Sequence, residues 1–240
     1  MKKYTDHISL AHHIIASNVW LLTDNQGHRF IIDTGPRAER FALRRQIERA
    51  GVRNPGDITA VLLTHRHSDH ADNAAWLRET YNAPVCCHGN DAEILNGHKD
   101  PDPLRRGLGN RLDEFLCGVE DAHPSRCTVD ETYSEGPWKW GFHVIPAFGH
   151  TEGSCMLYHE PTATLFSGDV LLAGIPPFRI WEKLGLAKHM YSIDVEQAHR
   201  RTLDFLANAP PVQYLCSGHG PFIHQDIDHK LQRFYGLMAL

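Results

Sequence analysis

Apolar positions alternate with turn residues along this chain in a pattern that sets short strands beside amphipathic helices. Residues 4 to 16 alternate loosely and suit a first strand, and Asn18 to Thr23 reads as the next. Asp24-Asn25-Gln26-Gly27 supplies turn chemistry. Arg29 to Ile32 then answers as the second arm of a hairpin, stopped by Asp33-Thr34-Gly35-Pro36. Residues 37 to 50 place Phe41, Leu43, Ile47 and Ala50 among charges, the spacing of an amphipathic helix that Gly51 ends. Ile58 to Leu63 is an apolar run of strand length. A helix is expected over 69 to 81, and Pro84 to His88 forms another short strand. Strand, helix and strand in this order imply an α/β (α+β) arrangement.

The later half reads differently. Residues 96 to 130 are irregular and rich in proline and glycine, with a helix expected over Leu104 to Val119. So long an excursion suits a lid or a substrate wall. From residue 141 strands dominate: Phe142 to Ala147, Ser154 to Tyr158 and Thr164 to Ser167. A loop rich in aromatic residues runs from Leu171 to Ser192. Asp194 is placed to cap a helix reaching Ala207, Gln213 to Ser217 is a last strand, and Gln225 to Leu240 a closing helix. No short repeat and no linker divides the chain, so a single domain over residues 1–240 is expected.

Chemistry concentrates directly after the run Ile58 to Leu63. There Thr64-His65-Arg66-His67-Ser68-Asp69-His70 packs three histidines and a carboxylate into six residues. Imidazole and carboxylate suit zinc, iron and manganese. In an extended loop residues two apart face the same way, so His65 and His67 can meet one metal. Asp69 and His70 then open the next helix and point at a second position. The alternative is a solvated surface run, in a chain with 18 histidines among 240 residues.

Composition narrows the classes. The net charge of -5 argues against nucleic acid as the main partner, because phosphate binding needs a basic surface. No stretch approaches the length of a membrane span, and no apolar segment of signal-peptide length follows the N-terminal lysines. Cys86, Cys87, Cys117, Cys127, Cys155 and Cys216 form no CxxC pair and read as reduced, mostly buried thiols. A cytoplasmic protein acting on a small-molecule substrate, without nucleic acid or membrane, is the expectation; self-association as a homo-oligomer stays open.

Four further positions share one context. Asp33 follows Phe30-Ile31-Ile32, His150 lies in Gly149-His150-Thr151, Asp169 in Ser167-Gly168-Asp169, and His219 in Gly218-His219-Gly220. Each is a candidate ligand just after a strand and beside glycine, which lets the backbone turn sharply.

Taken together, HxHxDH at 65–70, GHT at 149–151, SGD at 167–169, GHG at 218–220 and IDTG at 32–35 resemble the metallo-β-lactamase superfamily over nearly the whole chain. The resemblance implies a four-layer αββα sandwich with a metal site at one edge, between two sheets. It implies two divalent ions, zinc first, with iron or manganese as alternatives. His65, His67 and His150 would hold one ion, Asp69, His70 and His219 the other, and Asp169 would bridge them. Asp33 would orient a ligand from behind.

The implied chemistry is hydrolysis of an ester, thioester, lactone, amide or phosphodiester by a metal-activated hydroxide, with Asp69 as the catalytic group that orients it and takes its proton. The complete ligand set is similar to that of hydroxyacylglutathione hydrolases and lactonases, so an ester, thioester or lactone of a small molecule is expected; Asp169 argues against β-lactams as the main substrates. The Leu171 to Ser192 loop lies between two ligands, which makes Phe178, Arg179, Trp181, His189 and Tyr191 candidate substrate contacts; Arg179 would pair with an anionic group. Tyr158 is a second candidate tyrosine. The alternatives are a persulfide dioxygenase resembling the one-iron branch, which uses the counterparts of His65, His150 and Asp169, and a metal-dependent phosphodiesterase.

Overall fold

Two β-sheets, face to face, place every strand that precedes a candidate ligand. The computed structural model describes residues 1–104, 111–174 and 181–239. The first sheet runs β1 (Lys2–Lys3), β2 (Ile8–Leu10), β3 (Trp20–Thr23), β4 (Arg29–Ile32), β5 (Ala60–Leu62), β6 (Val85–His88) and β7 (Glu131–Tyr133) in that order. Pairing is antiparallel from β1 to β4 and parallel from β4 to β7. The second sheet is built from β8 (Gly136–Pro137), β9 (Phe142–Pro146), β10 (Cys155–His159) and β11 (Thr164–Gly168). After a small hairpin of β12 (Leu171–Leu172) and β13 (Gly185–Leu186), it is completed by β14 (Tyr214–Ser217), parallel to β11.

Parallel neighbours need a crossover, and helices supply it. They are α1 (Arg40–Arg49), α2 (Ser68–Ala71), α3 (Ala74–Tyr81), α4 (Gly89–Leu95), α5 (Arg111–Ala122) and α6 (Val195–Ala207), while α7 (Ile227–Met238) follows the last strand. The period of two along the second sheet sorts side chains into two cores. Cys155, Leu157, Phe166 and Cys216 face the first sheet and join Phe30, Ile32 and Leu62. Their neighbours Met156, Tyr158, Leu165 and Leu215 face the other way and bury Leu206 of α6 with Ile227 and Leu231 of α7. Leu43 and Ile47 of α1 and Leu77 of α3 cover the outer face of the first sheet. The result is the expected four-layer αββα sandwich.

Several local expectations need correction. The strand over 4 to 16 shrinks to β2, paired with the two-residue β1 that precedes that range, because the backbone from Ala11 onward turns into a loop held by Ile15 and Ala16 amides on the Glu39 carboxylate. The helix over 69 to 81 breaks into α2 and α3. At the break, the Asn73 side-chain amide donates to the carbonyls of Thr34, Gly35 and Pro36, contacts that a continuous helix would not aim. Phe41 is 71% exposed, since α1 turns only Leu43, Gln46 and Ile47 inward. Of the helix expected over Leu104 to Val119, residues 105–110 lie outside the described residues; from Arg111 onward it is α5, which continues to Ala122, while α4 and β7 were not anticipated. Asp194 does cap α6, accepting from the Gln197 amide at 3.1 Å. No disulfide joins the six cysteines, all buried. Among the described residues no helix is long and apolar enough to cross a membrane.

Candidate metal centre

Parallel strands end on the same side, so the segments that follow β4 and β5, and those that follow β11 and β14, emerge together. Asp33 leaves β4, His65 to His70 leave β5, Asp169 leaves β11 and His219 leaves β14; His150 follows β9. Two glycines make the convergence possible. A Cβ on Gly168, which has φ +50°, would lie 2.6 Å from Thr64 Oγ1, so only glycine lets the second sheet approach the β5 loop. A Cβ on Gly218 would lie 2.2 Å from Asp169 Oδ1 and 2.7 Å from His70 Cε1.

All seven expected ligands meet. Ligand atoms of His65, His67 and His150 lie within 4.8 Å of one another, and so do those of Asp69, His70 and His219. Asp169 stands between the sets. Its Oδ1 is 3.4 Å from His70 Nε2, and its Oδ2 is 3.0 Å from His219 Nε2 and 3.8 Å from His150 Nε2. The side chains of His70 and His150 are nearly inaccessible, whereas Asp69 is 33% exposed, so the centre opens at Asp69.

Hydrogen bonds behind the rings fix their tautomers. Thr64 Oγ1 donates its one proton to Asp33 Oδ2 at 2.8 Å, so it must accept from His65 Nδ1–H at 3.0 Å. Ser192 Oγ donates to Lys188 O at 2.7 Å and accepts from His150 Nδ1–H at 3.1 Å. His70 Nδ1–H donates to Asp33 Oδ2 at 2.9 Å. Asp33 also accepts from the Thr64 amide at 2.8 Å, so it braces the loop after β5 at both its start and its end. Each of these Nδ1 atoms is thereby occupied, which leaves Nε2 as the nitrogen each ring turns toward the centre. The Nε2 atoms of His65, His67, His70 and His150, with Asp169 Oδ1, are buried and have no hydrogen-bond partner. Buried polar atoms are rarely left so. Bare imidazole lone pairs around carboxylates are what a divalent cation binds, so the residues fit the expected group.

Charge differs across the centre. Burial, reinforced by neighbouring imidazoles, pushes His65 and His67 well below the ordinary histidine pKa and brings His150 down to about 4. His70 is raised well above it: burial opposes this, but Asp69, Asp169 and Asp33 together outweigh burial. Burial likewise opposes, and His70 and His219 overcome, in holding Asp69 and Asp169 below the usual carboxylate range.

The substrate candidates fare unevenly. Phe178 and Arg179 lie outside the described residues. His189 is exposed and its ring faces that of His199 on α6 at 6.0 Å, which turns it toward that helix. Tyr191 is partly buried and donates to Asp113 Oδ1 on α5 at 2.8 Å, with burial first and then Asp113 raising its pKa. Trp181 is 66% exposed. Tyr158 donates to Pro211 O from the outer core, away from the ligands. Sequence reasoning missed Thr64, Ser192, and the fully buried Asp91, which accepts from Thr151 Oγ1 and the Gly153 amide beside His150. Only Thr64 carried a signal, its place next to the motif.

The profile of the metallo-β-lactamase superfamily matches residues 14–219. The chain belongs to that superfamily. Among curated relatives, the probable metallo-hydrolase YybB of Bacillus subtilis is 28% identical over 210 residues, covering 86% of this chain and 81% of the relative. The hydroxyacylglutathione hydrolase GloC of Haemophilus influenzae is 28% identical over 157 residues, 65% of this chain and 68% of its own. Among solved structures, TTHA1623 in a di-iron-bound form superimposes with a TM-score of 0.63 at 23% identity, covering 92% of this chain and 96% of that one, which establishes the shared fold. Membership of this superfamily makes the chain a metallo-hydrolase-type protein with a metal-binding His/Asp cluster.

Proposed function

We propose that this chain is a dinuclear metal-dependent hydrolase that cleaves an ester, thioester or lactone of a small molecule. The observation that carries the reading is the set of four buried, unpartnered Nε2 atoms converging with Asp169 Oδ1. His65, His67 and His150 would hold one ion and Asp69, His70 and His219 the other, with Asp169 between the two sets. When bound, the ions supply a lowered pKa for water and polarisation of the electrophilic oxygen. Asp69, at the open edge and 3.5 Å from both His70 Nε2 and His219 Nε2, orients the attacking water and accepts its proton. Asp33 and Thr64 keep His70 and His65 in the tautomers this needs.

A one-iron dioxygenase would use only His65, His150 and Asp169 and would leave the buried Nε2 atoms of His67 and His70 unmet, so two ions are favoured. Zinc suits the donor set, while the di-iron-bound relative in fold makes iron the first alternative, with manganese after it. Relatives that are hydroxyacylglutathione hydrolases favour a thioester among the three substrate classes. The six buried thiols suit a reducing, cytoplasmic setting.

Elemental analysis of protein purified without added metal tests the reading. About two equivalents per chain are expected, with turnover of a thioester, aryl ester or lactone that ceases on chelation and returns with zinc, iron or manganese. One equivalent of iron alone, with oxygen uptake on a persulfide, would overturn it.

A further inference from the structure

Arg66 stands between two of the ligands, and successive residues of an extended loop face opposite ways. His65 and His67 therefore point into the centre and Arg66 points out of its back, yet its side chain is only 2% exposed. Its Nε donates to Glu152 Oε2 at 2.8 Å, two residues beyond His150. Its Nη1 lies 3.8 Å from Glu120 Oε1 on α5, and Glu120 Oε2 accepts from the Ser68 amide at 3.1 Å, at the start of α2. Glu152 Oε1 in turn accepts from the Asp102 amide at 2.7 Å. One buried guanidinium on the His65–His67 loop thus lies between two buried glutamates, one on the His150 loop and one on α5.

Stability alone explains this arrangement poorly. Taking a guanidinium and two carboxylates out of water costs several kcal/mol per ion, and replacing such groups with well-packed apolar side chains is often neutral or stabilising. What an apolar cluster lacks is direction. The planar guanidinium fixes donors along set lines, and here its Nε bond runs from the His65–His67 loop to the His150 loop, while Glu120 on α5, at 3.8 Å, meets it by charge alone. The loops also meet through the Cys155 amide, which donates to Thr64 O at 3.0 Å, and through the His150 ring, whose centroid lies 4.6 Å from that of His67, but neither contact carries charge from one loop to the other.

We infer that Arg66 is a positioning residue: through Glu152 it sets the His65–His67 loop against the His150 loop, and so determines how tightly the ion at His65, His67 and His150 is held. The inference rests on the two-ion reading above.

The test is chelator competition resolving two equivalents of zinc, with thermal unfolding of each variant measured alongside. Arg66→Met combined with Glu152→Leu removes the buried pair as a unit. This double variant is expected to melt within a few degrees of the wild type, yet to hold one equivalent about ten- to hundredfold more weakly, the usual scale for groups behind a ligand, while the other equivalent is held as before. Arg66→Lys keeps the buried positive charge but not the fork, and is expected to fold and to lose about tenfold at the same equivalent. Wild-type affinity for both equivalents in both variants would overturn the inference, as would equal weakening of the two. A wild type that binds no metal would overturn the two-ion reading and this inference together; a wild type with two equivalents, matched by the variants, overturns the inference alone.

Discussion

The two ligand sets, a few ångströms apart, are built on different physical lines. His65, His67 and His150 are all imidazole, buried, and held neutral by burial. Asp69, His70 and His219 mix carboxylate with imidazole, open to solvent at Asp69, and hold His70 above its ordinary pKa because three carboxylates surround it. The first set resembles a fixed socket: neutral lone pairs need no proton removed before a cation enters. The second set is where protons and substrate can be exchanged. Each set also has its own backing. Ser192 and Thr64 stand behind His150 and His65, and Asp33 behind His70.

Breaking the link between the sets should have the largest effect. Asp169 lies between the sets, with its oxygens within 3.8 Å of imidazole nitrogens of both. Asp169→Asn replaces one oxygen by a donor facing bare imidazole nitrogens. Two ions together supply several kcal/mol of transition-state stabilisation. At tenfold per about 1.4 kcal/mol, the loss in kcat/KM should reach roughly 10³-fold. Metal content should fall below two equivalents, and retention of both with full turnover would show that the sets work independently.

A smaller change sharpens the contrast between socket and exchange site. Asp69→Asn keeps a ligand-sized group at the open edge but removes the base. Turnover should fall about 10²-fold, within the range for general-base catalysis, while metal bound at the imidazole set is unaffected. The readouts are kcat against pH and elemental analysis. Loss of both ions would mean that Asp69 is needed as a ligand for the whole centre and not chiefly as a base.

Smaller again are the groups behind the rings. Ser192→Ala frees His150 to rotate and to move its proton. It should weaken one equivalent about tenfold, whereas Asp33→Asn, which touches both His70 and Thr64, should weaken both. Chelator competition distinguishes these outcomes. Equal effects from the two variants would remove the separation of backing groups.

How much of this could be read from the sequence follows from the range of each interaction. The ligands were legible because every one sits where a short apolar run ends, and strands are recognised from a few residues. His65 to His70, His150, Asp169 and His219 stand out as candidates by local pattern and glycine, while their division into two sets follows from the family resemblance. Their supports were not legible, because they arrive from far along the chain: Asp91 reaches Thr151 across 60 positions, Arg66 reaches Glu152 across 86, and Ser192 reaches His150 across 42. Nor could periodicity foresee the break between α2 and α3, which Asn73 makes by bonding to the Thr34 to Pro36 backbone. The same limit applies to His189, since adjacency to a ligand-bearing loop did not reveal that the ring turns toward α6.

Asp91 offers the mildest test, and it concerns the socket side. Burial first, tempered by Arg66, lifts its pKa from 3.8 to about 6. Between those values the folded protein keeps a proton that the unfolded chain has released. The contribution of Asp91 to stability is therefore fully present below about pH 4 and is lost as pH rises through about 6. Asp91→Asn cannot ionise, yet it retains an acceptor for the Gly153 amide and a donor toward Thr151 Oγ1. Its melting temperature relative to the wild type should thus improve by a few degrees between pH 4 and pH 7. Other groups titrate in this window, His70 among them, but they are common to both proteins and cancel in the difference. A difference in melting temperature that stays constant from pH 4 to pH 7 would mean that Asp91 stays ionised behind the His150 loop. In that case the buried guanidinium of Arg66 outweighs burial at this carboxylate, and the socket would be held by full charges on its outer side as well as by neutral rings within.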